Sequence, residues 1–237
     1  MSVRRGYGEA CPVAHALDMI GDRWALLVVR ELRLGPKRYT DLQLSLPHVG
    51  PAVLAQRLRE LEQAGVVRRR ALPPPAATRV YELTEWGQEL EPVFGELARW
   101  GLRSPVVQRE GELSADSVVL ALRTFFEPPD KPLWTAMYEL RLGRDCYRVR
   151  VDGGYLVEVA RGELSGAADA TLECDRMTLH ALLNKTLSVT AAVTSGELRL
   201  TGSTKAVHLL LDAVRKEPRP VPTGPAARAR GRTRTRR

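Results

Sequence analysis

The chain has 237 residues, 44% hydrophobic and 27% charged, which points to two compact soluble domains and excludes wholesale disorder. No apolar run approaches the ~18 residues of a membrane span, and Met1-Ser-Val-Arg-Arg leads into Gly6-Tyr-Gly, so neither insertion nor secretion is expected. The net charge of +8 is unevenly placed: residues 1–80 hold 13 bases and 7 acids, 105–217 hold 14 and 16, and 218–237 hold 7 and none, which confines a basic folded surface to the N-terminal part.

Apolar residues recur at helical spacing over residues 12–34 (Val13, Leu17, Ile20, then Leu27, Val28, Leu32). Gly21-Asp22 interrupts them, and Asp22 is placed as the N-cap of a second helix starting at Arg23. Gly35-Pro36 ends that helix, and Thr40 supplies a capping hydroxyl for a short third one that stops at Leu46-Pro47. A fourth helix is expected from Gly50-Pro51 to Ala64-Gly65, with proline in its first turn and glycine past its end. The period then changes to that of strands at Val66 to Leu72 and Arg79 to Leu83, joined by a stiff, proline-rich tip at residues 73–77. Thr84-Glu-Trp-Gly opens a last helix reaching about Leu102. This order of helices and hairpin is that of a winged helix-turn-helix.

Residues 105–113 read as a linker, and a helix follows at about 114–126. Alternating runs at 137–142, 147–151 and 155–159 are strands, the last two joined at Gly153-Gly154, a hairpin signal. A strand at Thr171 to Cys174, helices at 177–185 and 189–194, a strand at 197–201 and a helix at 203–216 complete the pattern. The expected fold class is α+β: a winged helix-turn-helix domain at 1–104 plus a C-terminal α+β domain at 114–217 with a mainly antiparallel sheet. Residues 218–237, rich in Pro, Ala and Arg, are expected to be disordered.

The segment from Cys11-Pro-Val-Ala-His to Val28-Val-Arg-Glu-Leu resembles the opening of HxlR-type winged-helix transcription regulators. So do Gly35-Pro-Lys-Arg-Tyr-Thr-Asp-Leu, Val53-Leu-Ala-Gln-Arg-Leu-Arg-Glu-Leu, and Tyr81-Glu-Leu-Thr-Glu-Trp-Gly, all within about residues 10–103. The resemblance implies a homodimer that binds double-stranded DNA, some members sensing oxidants or electrophiles through an N-terminal cysteine. The chain departs from that pattern at Gly50-Pro51-Ala52 and at Ala55, where hydroxyl, polar or basic residues are usual. Residues 134–216 resemble the sterol-carrier-protein type-two fold through Val149-Arg-Val-Asp-Gly-Gly, Ala168-Asp-Ala-Thr-Leu, Thr178-Leu-His-Ala-Leu-Leu and Ser195-Gly-Glu-Leu-Arg-Leu-Thr-Gly-Ser. That likeness implies an apolar cavity.

With Leu54, Leu58 and Leu61 as the buried stripe of the fourth helix, Ala52, Gln56, Arg59 and Gln63 point roughly opposite, toward a major groove. Gln56 suits adenine, Arg59 suits guanine or a phosphate, Ala52 and Ala55 suit a thymine methyl and let the helix sit deep, and Pro51 is placed on the same DNA face. Lys37, Arg38, Thr40 and Arg57 suit phosphates, and the hairpin carries Arg68, Arg69, Arg70 and Arg79 beside a tip that reaches a minor groove. The first helix and the last one, with Phe94, Leu97 and Trp100, are the expected dimer surface, which implies a pseudo-palindromic site.

Three cysteines, odd in number and far apart, imply a reduced, cytoplasmic setting. Cys11 sits at a helix N-terminus after Arg4 and Arg5, where the dipole favours thiolate, and is the redox-sensing candidate against the alternative of an inert core residue. Cys146 and Cys174 fall on strands and read as core. In the C-terminal domain Leu182, Leu183, Leu187, Val189, Leu210 and Leu211 are candidates to line a cavity for an apolar effector, or are simply core. His15, His48, His180 and His208 lack metal-ligand spacing, and no nucleotide or nucleophile motif is present, so neither enzyme, metal nor cofactor is expected. Two rivals stay open: a lipid carrier with incidental DNA binding, and a non-specific chromosome-associated factor driven by the arginine tail.

Overall fold

A computed structural model describes residues 6–73, 78–106, 111–128 and 133–215. The proline-rich tip beyond Pro73, Arg4 and Arg5, part of the expected linker, and the arginine tail lie outside these residues. The N-terminal unit runs α1 (Pro12–Ile20), α2 (Ala25–Leu32), α3 (Tyr39–Ser45), α4 (Pro51–Gln63), β1 (Val67–Ala71), β2 (Arg79–Leu83), α5 (Glu85–Gln88) and α6 (Glu91–Leu102). The C-terminal unit runs α7 (Ala115–Phe125), β3 (Ala136–Leu142), β4 (Asp145–Asp152), β5 (Tyr155–Arg161), β6 (Ala170–Cys174), α8 (Arg176–Leu183), α9 (Val189–Thr194), β7 (Leu198–Gly202) and α10 (Thr204–Asp212). The fold class is therefore α+β.

Apolar periodicity places α4 by burying Leu54, Leu58 and Leu61 together against Val28, Val29 and Leu42. Three details of the N-terminal unit differ from the expectation. The second helix begins at Ala25, because Trp24 takes a left-handed conformation (φ 80°), and Asp22 is drawn instead into an ion pair with Arg57. The third helix begins at Tyr39, so Thr40 lies inside it; its first turn is closed by Asp41, whose carboxylate accepts the Arg38 backbone N–H at 3.4 Å. The expected last helix is two, because Pro92 lacks an N–H and its ring crowds the carbonyl four residues earlier, at Gln88. The short α5 lies flat on the hairpin, and Gly87 makes that possible: a Cβ there would run into the Val66 carbonyl.

β1 and β2 pair antiparallel from Val67↔Leu83 to Ala71↔Arg79. In the C-terminal unit the strand order is β5-β4-β3-β6-β7, with β3 and β6 parallel and the other neighbours antiparallel. One sheet face is apolar (Tyr138, Leu140, Tyr147, Val149, Leu172, Leu198) and packs with α7, α8 and α10 through residues such as Val119, Leu182 and Leu210.

The two units are not independent beads. Leu34, in the loop between α2 and α3, is buried in the core of the C-terminal unit. Its carbonyl accepts the Arg161 backbone N–H at 3.0 Å, the neighbouring Arg33 carbonyl accepts Arg123 Nη1 at 3.1 Å, and Arg99 Nη2 donates to the Thr124 carbonyl at 2.9 Å.

Candidate nucleic-acid interface

The outward edge of α4 carries the residues that the sequence pattern assigns to base reading. Ala52, Arg59 and Gln63 are exposed, and Gln56 and Ala55 are half-buried. Arg59 Nη2 donates to Gln56 Oε1 (2.5 Å) while Gln56 Nε2 donates to Glu60 Oε1 (2.6 Å), so the three side chains form one polar row. Pro51 is exposed, and its carbonyl accepts Tyr39 Oη at 2.9 Å, which ties the start of α4 to α3. Arg38 and Thr40, at the start of α3, are exposed.

Two expected phosphate ligands are placed otherwise. Arg57 pairs with both Asp22 and Glu60 and is largely covered, so it braces α4 against the turn before α2. Lys37 is only 3% exposed, and its Nζ is enclosed by Glu31 Oε2 (2.6 Å), Asp116 Oδ2 (2.8 Å) and Ser45 Oγ (2.9 Å). A buried ammonium that donates to Glu31 and Ser45 and is ion-paired with Asp116 offers nothing to a phosphate.

On the hairpin, Arg68 and Arg70 donate to the two oxygens of Glu82 at 2.8 and 2.9 Å. Partial burial opposes ionisation of Glu82, yet those two arginines hold its carboxyl below the usual range. Arg69 points to the other face, 3.3 Å from Glu62 and stacked on Tyr81. Arg79 is exposed at the strand start, next to the undescribed tip.

The network around Lys37 extends across both units. Glu31, fully buried, also accepts Arg30 (2.9 Å) and Ser114 Oγ (2.7 Å). Asp116, equally buried, accepts Tyr147 Oη at 2.6 Å and pairs with Arg161, whose other Nη reaches Asp145 at 2.6 Å. Burial raises the cost of charging Asp116, but Lys37 and Arg161 beside it hold the carboxyl below its ordinary value. Sequence reasoning missed this cluster. One signal was available: Glu31 is a charge inside the apolar stripe Val28-Val29-Leu32.

Other expected positions fall as follows. Leu182, Leu183, Val189, Leu210 and Leu211 are buried in the C-terminal core, and Leu187 packs against it half-buried. A cleft of about 510 Å³ opens instead between the units, its lining including Leu44, Ser45, Ser114, Arg144, Asp145 and Met177. Phe94, expected on the dimer surface, is buried in the N-terminal core, whereas Val93, Leu97 and Trp100 on the same helix are exposed, the last 69%. Val13 and Leu17 on α1 and Trp86 are also exposed.

Cys11 is the residue preceding α1, and backbone N–H groups of Ala14 and Val13 bring its thiol below the ordinary value. Burial pushes Cys146 up to about 11 and Cys174 up to about 12, with Glu139 and Asp175 acting in the same direction. No group of three or more His, Cys, Asp or Glu among the described residues is placed to hold a metal, and no helix among them is long and apolar enough to cross a membrane.

Residues 19–107 match the family model described as HxlR-like helix-turn-helix, and residues 139–219 match the one described as Alkyl sulfatase C-terminal. Over 93 residues the chain is 38% identical to the HTH-type transcriptional regulator YvaP of Bacillus subtilis (strain 168), covering 39% of this chain and 86% of that one. Over 91 residues it is 38% identical to the HTH-type transcriptional regulator YodB of the same organism, covering 38% and 81%. The solved reduced form of YodB is 37% identical over 39% of this chain and 92% of its own, with a TM-score of 0.36.

Proposed function

Because the chain belongs to the HxlR-like helix-turn-helix family, we propose that it is a cytoplasmic, sequence-selective DNA-binding transcriptional regulator and not an enzyme. The observation that carries this reading is the leucine-backed α4, whose outward edge presents Gln56 and Arg59 in a polar row. Pro51, Ala52 and Ala55 keep that edge slim enough for a major groove, while Arg38, Thr40, Arg69 and Arg79 serve the flanking backbone. The apolar surface of α1 and α6 (Val13, Leu17, Leu97, Trp100) supports a homodimer, because one recognition helix buries too little for typical specific affinity. A two-fold pair would read a pseudo-palindrome with half-sites about one helical turn apart.

The C-terminal unit, read as residues 114–217 after a linker at 105–113, is proposed to have a sterol-carrier-like fold. The close packing of its leucines favours a supporting role over an internal effector cavity. Selection of bound fragments from genomic DNA tests the reading, and flat recovery across the genome would defeat it. On the recovered site, Arg59→Ala should cost about 1–3 kcal/mol of binding while leaving scrambled DNA unaffected. Equal losses on both DNAs would remove Arg59 from the reading face.

A second reading adds a sensor, favoured by the lowered thiol of Cys11 against the raised ones of Cys146 and Cys174. Limiting iodoacetamide at neutral pH should modify Cys11 first and weaken operator binding. Affinity unchanged after complete modification at Cys11 would dispose of the sensor.

A further inference from the structure

Lys37 stands where four parts of the molecule meet. Its backbone pairs with the wing strand, the Lys37 N–H donating to the Tyr81 carbonyl (3.0 Å) and the Tyr81 N–H to the Lys37 carbonyl (2.8 Å). Its ammonium reaches Glu31 at the end of α2, Ser45 at the end of α3, and Asp116 in the first turn of α7. Asp116 is in turn held by Tyr147 from β4 and by Arg161 from β5, and Asp145 holds the other side of Arg161. One residue therefore joins the wing through its backbone and the helix pair and α7 through its buried ammonium, with Asp116 carrying the connection on to the C-terminal sheet.

From this arrangement we infer that Lys37 and Asp116 are positioning residues for DNA binding: the C-terminal unit sets the relation of wing to helix-turn-helix through them, without touching DNA. This inference rests on the DNA-binding reading above. A helix-turn-helix and its wing must meet the groove and the backbone together, and a small displacement of one against the other loses contacts in both. Lys37 acts through a shared frame, so its removal should weaken DNA binding without removing a phosphate contact. The C-terminal side of the frame should matter as much as the N-terminal side, because an ammonium left with Glu31 and Ser45 alone no longer ties α7 to the wing.

The test uses the full chain, its selected operator and a salt titration for each variant. Lys37→Met, Asp116→Asn and the milder Tyr147→Phe, which removes only the hydroxyl that donates to Asp116, are compared with wild type at a temperature where circular dichroism shows each one folded. Lys37→Met and Asp116→Asn should each lower operator affinity by about tenfold, in the usual range for coupling between sites, with the double variant no worse than either. The slope of log affinity against log salt should stay at the wild-type value, whereas loss of a true phosphate ligand lowers it by about 1. Tyr147→Phe should give a smaller loss of the same kind. Folded Asp116→Asn and Tyr147→Phe proteins that bind as tightly as wild type would overturn the inference, as would a reduced salt slope in Lys37→Met. Wild-type protein without DNA selectivity would instead defeat the reading beneath it.

Discussion

Glu31→Ala should lower the unfolding free energy by about 3–5 kcal/mol, seen as a large fall in the urea midpoint with little change in slope. Glu31 is wholly buried, and it neutralises Lys37 at 2.6 Å and Arg30 at 2.9 Å while accepting Ser114 at 2.7 Å. Truncation leaves a buried ammonium with Asp116 as its one acidic partner and strips Ser114 of its acceptor. Glu158→Ala gives the contrast: its pair with Arg148 is equally short at 2.7 Å, but both side chains are about one-third exposed, so about 0–1 kcal/mol is expected. A Glu31→Ala loss as small as the Glu158→Ala loss would show that water enters the network and that burial is not what makes it matter.

Leu34→Ala should cost about 2–5 kcal/mol, the range for emptying a buried leucine site, and the damage should appear in the other half of the molecule. Leu34 follows α2 in sequence but is 3% exposed within the core that holds Tyr147, Val149 and Leu172. Native-state hydrogen exchange separates the outcomes. Amides of β3 and β4 should lose protection first, while those of α4 around Leu58 keep most of theirs. Loss confined to α4 would mean that Leu34 serves the N-terminal core, and that the two units are joined less intimately than their hydrogen bonds imply.

Much of the fold was legible along the chain because its signals are local. The stripe Leu54-Leu58-Leu61, the proline and glycine around α4, the alternation of β3 to β5 and the turn at Gly153-Gly154 each work within a dozen residues. The discrepancies arose where a distant group competed with a local one. Asp22 had the chemistry of a cap, but Arg57 from α4 claimed its carboxylate. For Leu182 and Leu210 the apolar spacing fitted a pocket wall or a core equally, and only the packing of one helix on another distinguishes the two.

Lys37 shows the division most clearly. Local order along the chain, from helix periodicity, proline and glycine stops and strand alternation, determined that there is a helix-turn-helix with a wing, an α+β unit after it, and an outward edge on α4 carrying Gln56 and Arg59. A lysine before such a motif reads as a cation for phosphate, since nothing nearby in sequence forbids it. Only the tertiary structure brought Asp116, 79 positions later, to 2.8 Å from its ammonium. Charge pairing in a buried site depends on which chain segments exclude water together, and that is a property of packing between distant elements, which no local pattern encodes.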